Sequence, residues 1–152
     1  MNGGIISKAT LKIKKLNETA VIPTRGSFES AGNDLYANIL EPITIQPHET
    51  VKIGTGLSIE LPIGYFGAIV ARSGLASKKG LAPANKVGIC DSDYRGEYIV
   101  ALHNDSNHPQ TIEPNERIAQ LIVLPYLMVD FEETNELTNT ERGDNGFGST
   151  GK

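Results

Sequence analysis

The sequence predicts an all-β subunit of sandwich, jelly-roll or barrel type with one short helix, and three observations carry that reading. The dominant hydrophobic period is two. In ETVKIGTGLSIEL (residues 49–61), Val51, Ile53, Thr55, Leu57, Ile59 and Leu61 share one face, and Lys52, Gly54, Gly56, Ser58 and Glu60 share the other. Such alternation marks a half-buried strand or a hairpin arm. Turn signals (EP, QPHE, LPIG, NDSNHP and EPNE) recur at short intervals between the apolar segments. Only one stretch has the start and stop signals of a helix. Many short strands so punctuated build sandwiches, jelly rolls or barrels.

Taken in order, LKI (11–13), AVIP (20–23), LYANI (35–39) and ITI (43–45) read as strands ahead of the alternating segment. YFGAIVA (65–71) and EYIVALHN (97–104) follow the same pattern. RIAQLIVL (117–124) is apolar on both faces, which predicts a strand covered on both sides. In RSGLASKKG (72–80), Ser73 is expected to cap a helix over residues 75–79 that Gly80 ends. After Phe131 the pattern gives way to EETNELTNTERGDNGFGSTGK, polar and glycine-rich. One β domain over residues 1–131 and a flexible arm over 132–152 are therefore expected.

Bulk properties narrow the function. A chain of 152 residues with formal net charge -4 is one domain without the basic surface that sequence-independent nucleic-acid binding requires. The longest apolar stretch, LIVLPYLMV (121–129), contains a proline and is too short to span a membrane. With no apolar leader segment at the N-terminus and Cys90 as the single cysteine, a cytoplasmic location is expected.

Several stretches carry groups with chemistry. GFGSTGK (146–152) fits the G-x-x-x-x-G-K core of a phosphate-binding loop. That motif also needs a hydroxyl residue after the lysine, a strand before the loop and a helix behind it. The match is therefore expected to be accidental, and Lys152 to matter least. DSDYRGE (91–97) is a hairpin turn with solvated charges or a site, and spacing alone leaves both open. It is no EF-hand, because Arg95 and Leu102 would fall on ligand positions. Arg72, Ser73 and Gly74 combine a guanidinium, a hydroxyl and backbone N–H groups, which suits either an anion site or a capped turn. Gln120, an amide in an apolar strand, needs hydrogen-bond partners, first of all a neighbouring backbone group. Asp34 reads equally as a turn residue. His48, His103 and His108 sit near turns and read as surface residues. In the tail, Arg142, Phe147, Ser149 and Thr150 are either a loose end or a lid, with Phe147 able to stack on a base and Arg142 to pair with phosphate.

Five stretches in order resemble the five motifs of the trimeric dUTPase family: SAGNDLYA (30–37), ARSGLA (71–76), ANKVGICDSDYRGE (84–97), ERIAQLI (116–122) and RGDNGFGSTG (142–151). The resemblance implies a jelly-roll-like homotrimer with active sites at subunit interfaces. It implies Mg²⁺-assisted hydrolysis of dUTP to dUMP and pyrophosphate, which keeps uracil out of DNA and supplies dUMP for dTTP. By position, Asp91 matches the catalytic aspartate that orients and deprotonates the attacking water. Asn85 and the backbone of Gly88, Ile89, Cys90 and Asp91 match the pocket that reads uracil, and Tyr94 matches the residue packed on deoxyribose that excludes a 2′-hydroxyl. Arg72, Ser73 and Gly74 match the phosphate turn, and Gln120 the glutamine near the phosphates. Asp34 matches an aspartate acting on the metal's water shell, with Mg²⁺ held mainly by substrate phosphates. In the arm, Phe147 is expected over uracil, with Arg142, Gly148, Ser149 and Thr150 near the phosphates. Cys90 departs from the family's branched aliphatic residue, and Asn33 fills a variable position. The same fold also serves dCTP deaminases, their bifunctional relatives and silent nucleotide-binding regulators; DSDYRGE keeps the aspartate and tyrosine expected of a dUTPase.

Overall fold

The computed structural model describes residues 8–146. Twelve strands and one helix are present among them: β1 (Lys12–Lys15), β2 (Thr24–Arg25), β3 (Asn33–Tyr36), β4 (Ile43–Ile45), β5 (Thr50–Gly54), β6 (Leu57–Glu60), β7 (Tyr65–Val70), α1 (Ser73–Lys79), β8 (Leu81–Pro83), β9 (Val87–Cys90), β10 (Ile99–Asn104), β11 (Gln110–Ile112) and β12 (Arg117–Pro125). All pairings are antiparallel. The sheets run β2-β3-β12-β7-β9, β5-β10-β8, β1-β6 and β11-β4, and do not close into a single barrel among the described residues. One contiguous core takes Leu35, Ile45, Ile53, Ile59 and Ile69 from β3 to β7, and Leu81, Val100, Leu102, Ile112 and Ile118 from β8 to β12. The jelly-roll-like, all-β expectation holds.

Local details depart from the sequence reading, each for a physical reason. The alternating segment 49–61 keeps its buried face but is two strands in different sheets: β5 pairs with β10, and β6 with β1. The break falls at Gly56, whose φ of 67° lies in the left-handed region. A Cβ there would stand 2.6 Å from Asn38 Oδ1 and 2.8 Å from Ala20 Cβ, so only glycine fits. Around the break, Thr55 Oγ1 donates to the Tyr98 carbonyl (2.7 Å), and the Gly56 N–H donates to Glu97 Oε1 (2.7 Å).

The AVIP stretch is irregular, and the short strand β2 begins immediately after it, at Thr24. Ser73 does not cap α1. Arg72 occupies the cap position with extended backbone and no side-chain cap bond, leaving Ser73 as the first helical residue. Gly80 ends the helix as expected, in the left-handed conformation at φ 67°. β12 is central, between β3 and β7, and its first half is buried on both faces, with Ile118 and Ala119 fully buried. Towards Leu124 it opens to solvent. Beyond it, residues 132–146 are almost all exposed and contain no helix or strand.

Candidate active site

The predicted site residues fall into two separate recesses. The first, of about 210 Å³, is lined by Asn85, Gly88, Ile89, Cys90, Asp91 and Tyr94 together with Glu97 and Tyr98. The second, of about 220 Å³, is lined by Asp34, Arg72, Ser73, Gly74 and Gln120, with Arg117 beside them. The two share no residue. A larger hollow of about 940 Å³ between the N-terminal segment and the sheet includes none of the predicted residues. Arg142 lies in the exposed tail, where its Nε donates to the Asn145 carbonyl (2.9 Å). Phe147, Gly148, Ser149 and Thr150 lie outside the described residues, as does most of GFGSTGK.

The first recess is built on a sheet edge. β9 pairs with β7 alone, so alternate N–H and C=O groups of residues 87–90 point away from the sheet with no strand to meet them. Gly88 leaves room for the Asn85 amide: a Cβ at Gly88 would lie 3.3 Å from Asn85 Nδ2. Asp91, immediately after the strand, is exposed, and its carboxylate makes no hydrogen bond or ion pair within the described residues. Tyr94 is held over the hairpin. Its hydroxyl donates to the Glu97 carbonyl (3.0 Å), and its ring centroid is 6.2 Å from that of Tyr98. Gly96 lies directly beneath the Tyr94 ring, where any side chain would collide with it. A rigid ring beside a free carboxylate is the result.

Behind this wall Tyr98 is 1 % exposed, and among the described residues its hydroxyl has no well-formed hydrogen bond, only the weak thiol of Cys90 beside it. Burial pushes the phenol well above its ordinary range, and Cys90 adds to the shift. Burial likewise pushes the Cys90 thiol up, partly offset by Tyr98 and reinforced by the Asp91 charge. Cys90 is thus a protonated packing residue and not a nucleophile. A buried hydroxyl with only a thiol beside it is poorly satisfied and costs free energy. Tyr98→Phe is therefore expected to leave the fold intact and raise unfolding stability by about 1 kcal/mol in chemical denaturation. A loss of similar size would show that the hydroxyl has a partner.

The second recess centres on an ion cluster. Asp34 is 8 % exposed; its Oδ1 accepts from Arg72 Nε (2.8 Å) and its Oδ2 from an Arg117 terminal nitrogen (3.3 Å). Gln120 Nε2 donates to the Ala71 carbonyl (2.9 Å), the backbone partner expected for it. Its Oε1 faces Gly32, where a Cβ would collide with it. A side chain at Gly32 would force the Gln120 amide to move. Among the described residues no group of three or more His, Cys, Asp or Glu side chains could cage a metal. Each Asp34 oxygen accepts one bond and keeps acceptor capacity for a water. The donor set therefore suits a Mg²⁺ ion held by phosphate oxygens, with protein contact through its waters.

Three contributors escaped the sequence reading. Glu97 and Tyr98 lie in the stretch ANKVGICDSDYRGE and just beyond it, but their roles depend on contacts with residues 55–57, some 40 positions away. Arg117 is the second residue of ERIAQLI, but an unbroken strand would turn it away from Gln120.

Comparison with known proteins points to one family. The family model described as dUTPase matches residues 18–151. The deoxyuridine 5'-triphosphate nucleotidohydrolase of Nautilia profundicola is 49% identical over 93% of this chain and 99% of its own. The enzyme of that name from Hydrogenobaculum sp. is 47% identical over 93% and 97%. Among solved structures, a Staphylococcus bacteriophage 80alpha dUTPase with dUPNHPP superposes with a TM-score of 0.87 at 28% identity, covering 95% of this chain and 100% of that one. An edge-strand hairpin with a free aspartate, an arginine-lined recess and a match across nearly the whole length lead to one conclusion: the chain belongs to the dUTPase family.

Proposed function

We propose that the chain is a dUTP diphosphatase that hydrolyses dUTP to dUMP and pyrophosphate by in-line attack of water on the α-phosphorus. The carrying observation is the Asp91 carboxylate, exposed at the end of an edge strand with no partner among the described residues to neutralise it. A carboxylate so placed orients a water and takes its proton. The free N–H and C=O groups of residues 88–91, with the Asn85 amide, bond the edge of uracil. Polar readout of this kind rejects a base that leaves those groups unpaired once it covers them.

Tyr94 packs on the deoxyribose. Because Gly96 and Tyr98 fix its ring, a 2′-hydroxyl has no space. Tyr94→Ala is expected to raise the kcat/KM for UTP relative to dUTP by about tenfold or more, the effect of removing a steric penalty of 1–3 kcal/mol. An unchanged ratio would remove Tyr94 from that role.

Arg72, Ser73, Gly74 and Gln120 hold the phosphates, and Arg142, Phe147, Gly148, Ser149 and Thr150 of the arm complete the enclosure over base and phosphates. Mg²⁺ supplies charge neutralisation on the phosphates when bound. Asp34 reaches it only through water. The β domain is residues 1–131, and 132–152 is the closing arm.

The homotrimer belongs to the same reading. Base and phosphate groups occupy recesses with no common residue, which suits a site assembled from neighbouring subunits. Leu127, Met128 and Phe131 are 84%, 83% and 96% exposed, an apolar run that a second subunit would cover. No helix among the described residues is long and apolar enough to cross a membrane. A cytoplasmic setting suits a chain whose one cysteine is an unpaired, buried thiol. The deciding experiment measures pyrophosphate release from dUTP, dCTP, dTTP and UTP, with and without Mg²⁺. Selective release from dUTP is expected; ammonia from dCTP at a rival rate would overturn the assignment in favour of a deaminase.

A further inference from the structure

We infer that Arg117 is a second phosphate-binding guanidinium of this site, and that Asp34 is a positioning residue that aims Arg117 and Arg72 together. The inference rests on the nucleotide-hydrolase reading and adds to it a residue and a role.

Register supplies the first argument. On β12, Gln120 stands directly opposite Asp34 of β3, so the two side chains share a face. In a regular strand Arg117, three residues earlier, would point to the opposite face. The ladder, however, shifts between Arg117 and Ala119, so that Arg117 stands opposite Tyr36. Tyr36 and Asp34 are two residues apart on β3 and face the same way. The bulge therefore turns Arg117 towards Asp34 and Gln120, the re-aiming of a side chain that bulges provide beside functional sites.

Charge supplies the second. Arg72 and Asp34 alone form a neutral pair, which offers little to a polyanion. With Arg117, two guanidinium groups face one carboxylate, and among the described residues these are the only charged side chains lining the recess. The net charge becomes positive, as a phosphate chain requires. The third argument is access. Arg72 is deeply set, its side chain 26% exposed, and it is further tied by donating to the Arg117 carbonyl (3.3 Å). The Arg117 side chain is 50% exposed and anchored through a single terminal nitrogen, which leaves guanidinium N–H groups free for a ligand.

The test compares binding of the non-hydrolysable analogue dUPNHPP and of dUMP to the full chain by calorimetry, without and with Mg²⁺. Arg117→Gln is expected to weaken dUPNHPP by about tenfold to a hundredfold, the loss of a charge-assisted bond, and to leave dUMP within about twofold. Arg117→Lys should recover only part, because the fork geometry is lost. Asp34→Asn should weaken dUPNHPP selectively without Mg²⁺ even though it makes the recess more positive, because the two guanidinium groups lose the carboxylate that aims them. Unchanged or tighter binding would overturn the positioning role. Unchanged dUPNHPP affinity in Arg117→Gln, or an equal loss for dUMP, would overturn the role of Arg117. An Asp34→Asn effect seen only with Mg²⁺ present would overturn the positioning role. Failure of the unmodified chain to bind dUPNHPP would instead remove the nucleotide-hydrolase reading itself.

Discussion

Asp91→Asn is expected to lower kcat for dUTP by about 10³-fold while dUPNHPP binding changes by less than about threefold. The substitution is nearly isosteric, and the Asp91 side chain has no partner among the described residues that it could disrupt. What disappears is the ability to accept a proton from water, since an amide is not a base at neutral pH. A general base contributes about 10²–10⁴ in rate, so the loss falls in kcat and not in KM. Pyrophosphate release under saturating dUTP measures the first quantity, and calorimetry with dUPNHPP the second. Unchanged turnover would remove Asp91 from its role. A parallel collapse of binding would make it a binding residue instead.

Removal of residues 143–152 is expected to leave a folded protein with turnover reduced by about 10²-fold or more. The stability half of the prediction follows from packing. The core ends with Leu121 of β12, and Val123 packs against it. Hydrogen bonds of the described tail are local: Arg142 with Asn145, and Gly143 with Thr140. Among the described residues of the span, none belongs to the core, so the melting temperature and oligomeric state are expected to match those of the intact chain. The activity half follows from proposed closure. A site open to solvent loses both positioning of the triphosphate and exclusion of water, and misplacement alone can cost about 10²-fold. Calorimetry, light scattering and pyrophosphate release on one preparation separate the two halves. Full activity in the shortened chain would end the lid reading; a lowered melting temperature would show that the tail packs on the β domain.

Much of the architecture was legible because it is written locally. The alternation from Val51 to Leu61 correctly identifies a buried face, since side chains on a pleated strand alternate whatever the strand pairs with. Gly80 announces its left-handed cap because few other residues tolerate that conformation. Ser73 misled because Ser is a frequent helix cap. Here the extended Arg72 takes that place, held by its own ion pair to Asp34. AVIP misled because its composition is that of a strand while its backbone has no ladder partner.

The sequence by itself determined the chemistry available: an aspartate after a strand, a tyrosine in a turn, an arginine–serine–glycine stretch and a period-two core. Only the tertiary structure decided how these groups meet. It divided one thirteen-residue pattern between two sheets, and it placed β9 at an edge where backbone groups stay free. It also parted the recess around Asp91 from the recess around Asp34, and a bulge turned Arg117 onto the face of Asp34. The physical reason is the range of the interactions. Alternation and turn preference depend on neighbours in the chain, whereas register depends on a partner strand about 80 residues away, and a shift of one residue exchanges the two faces.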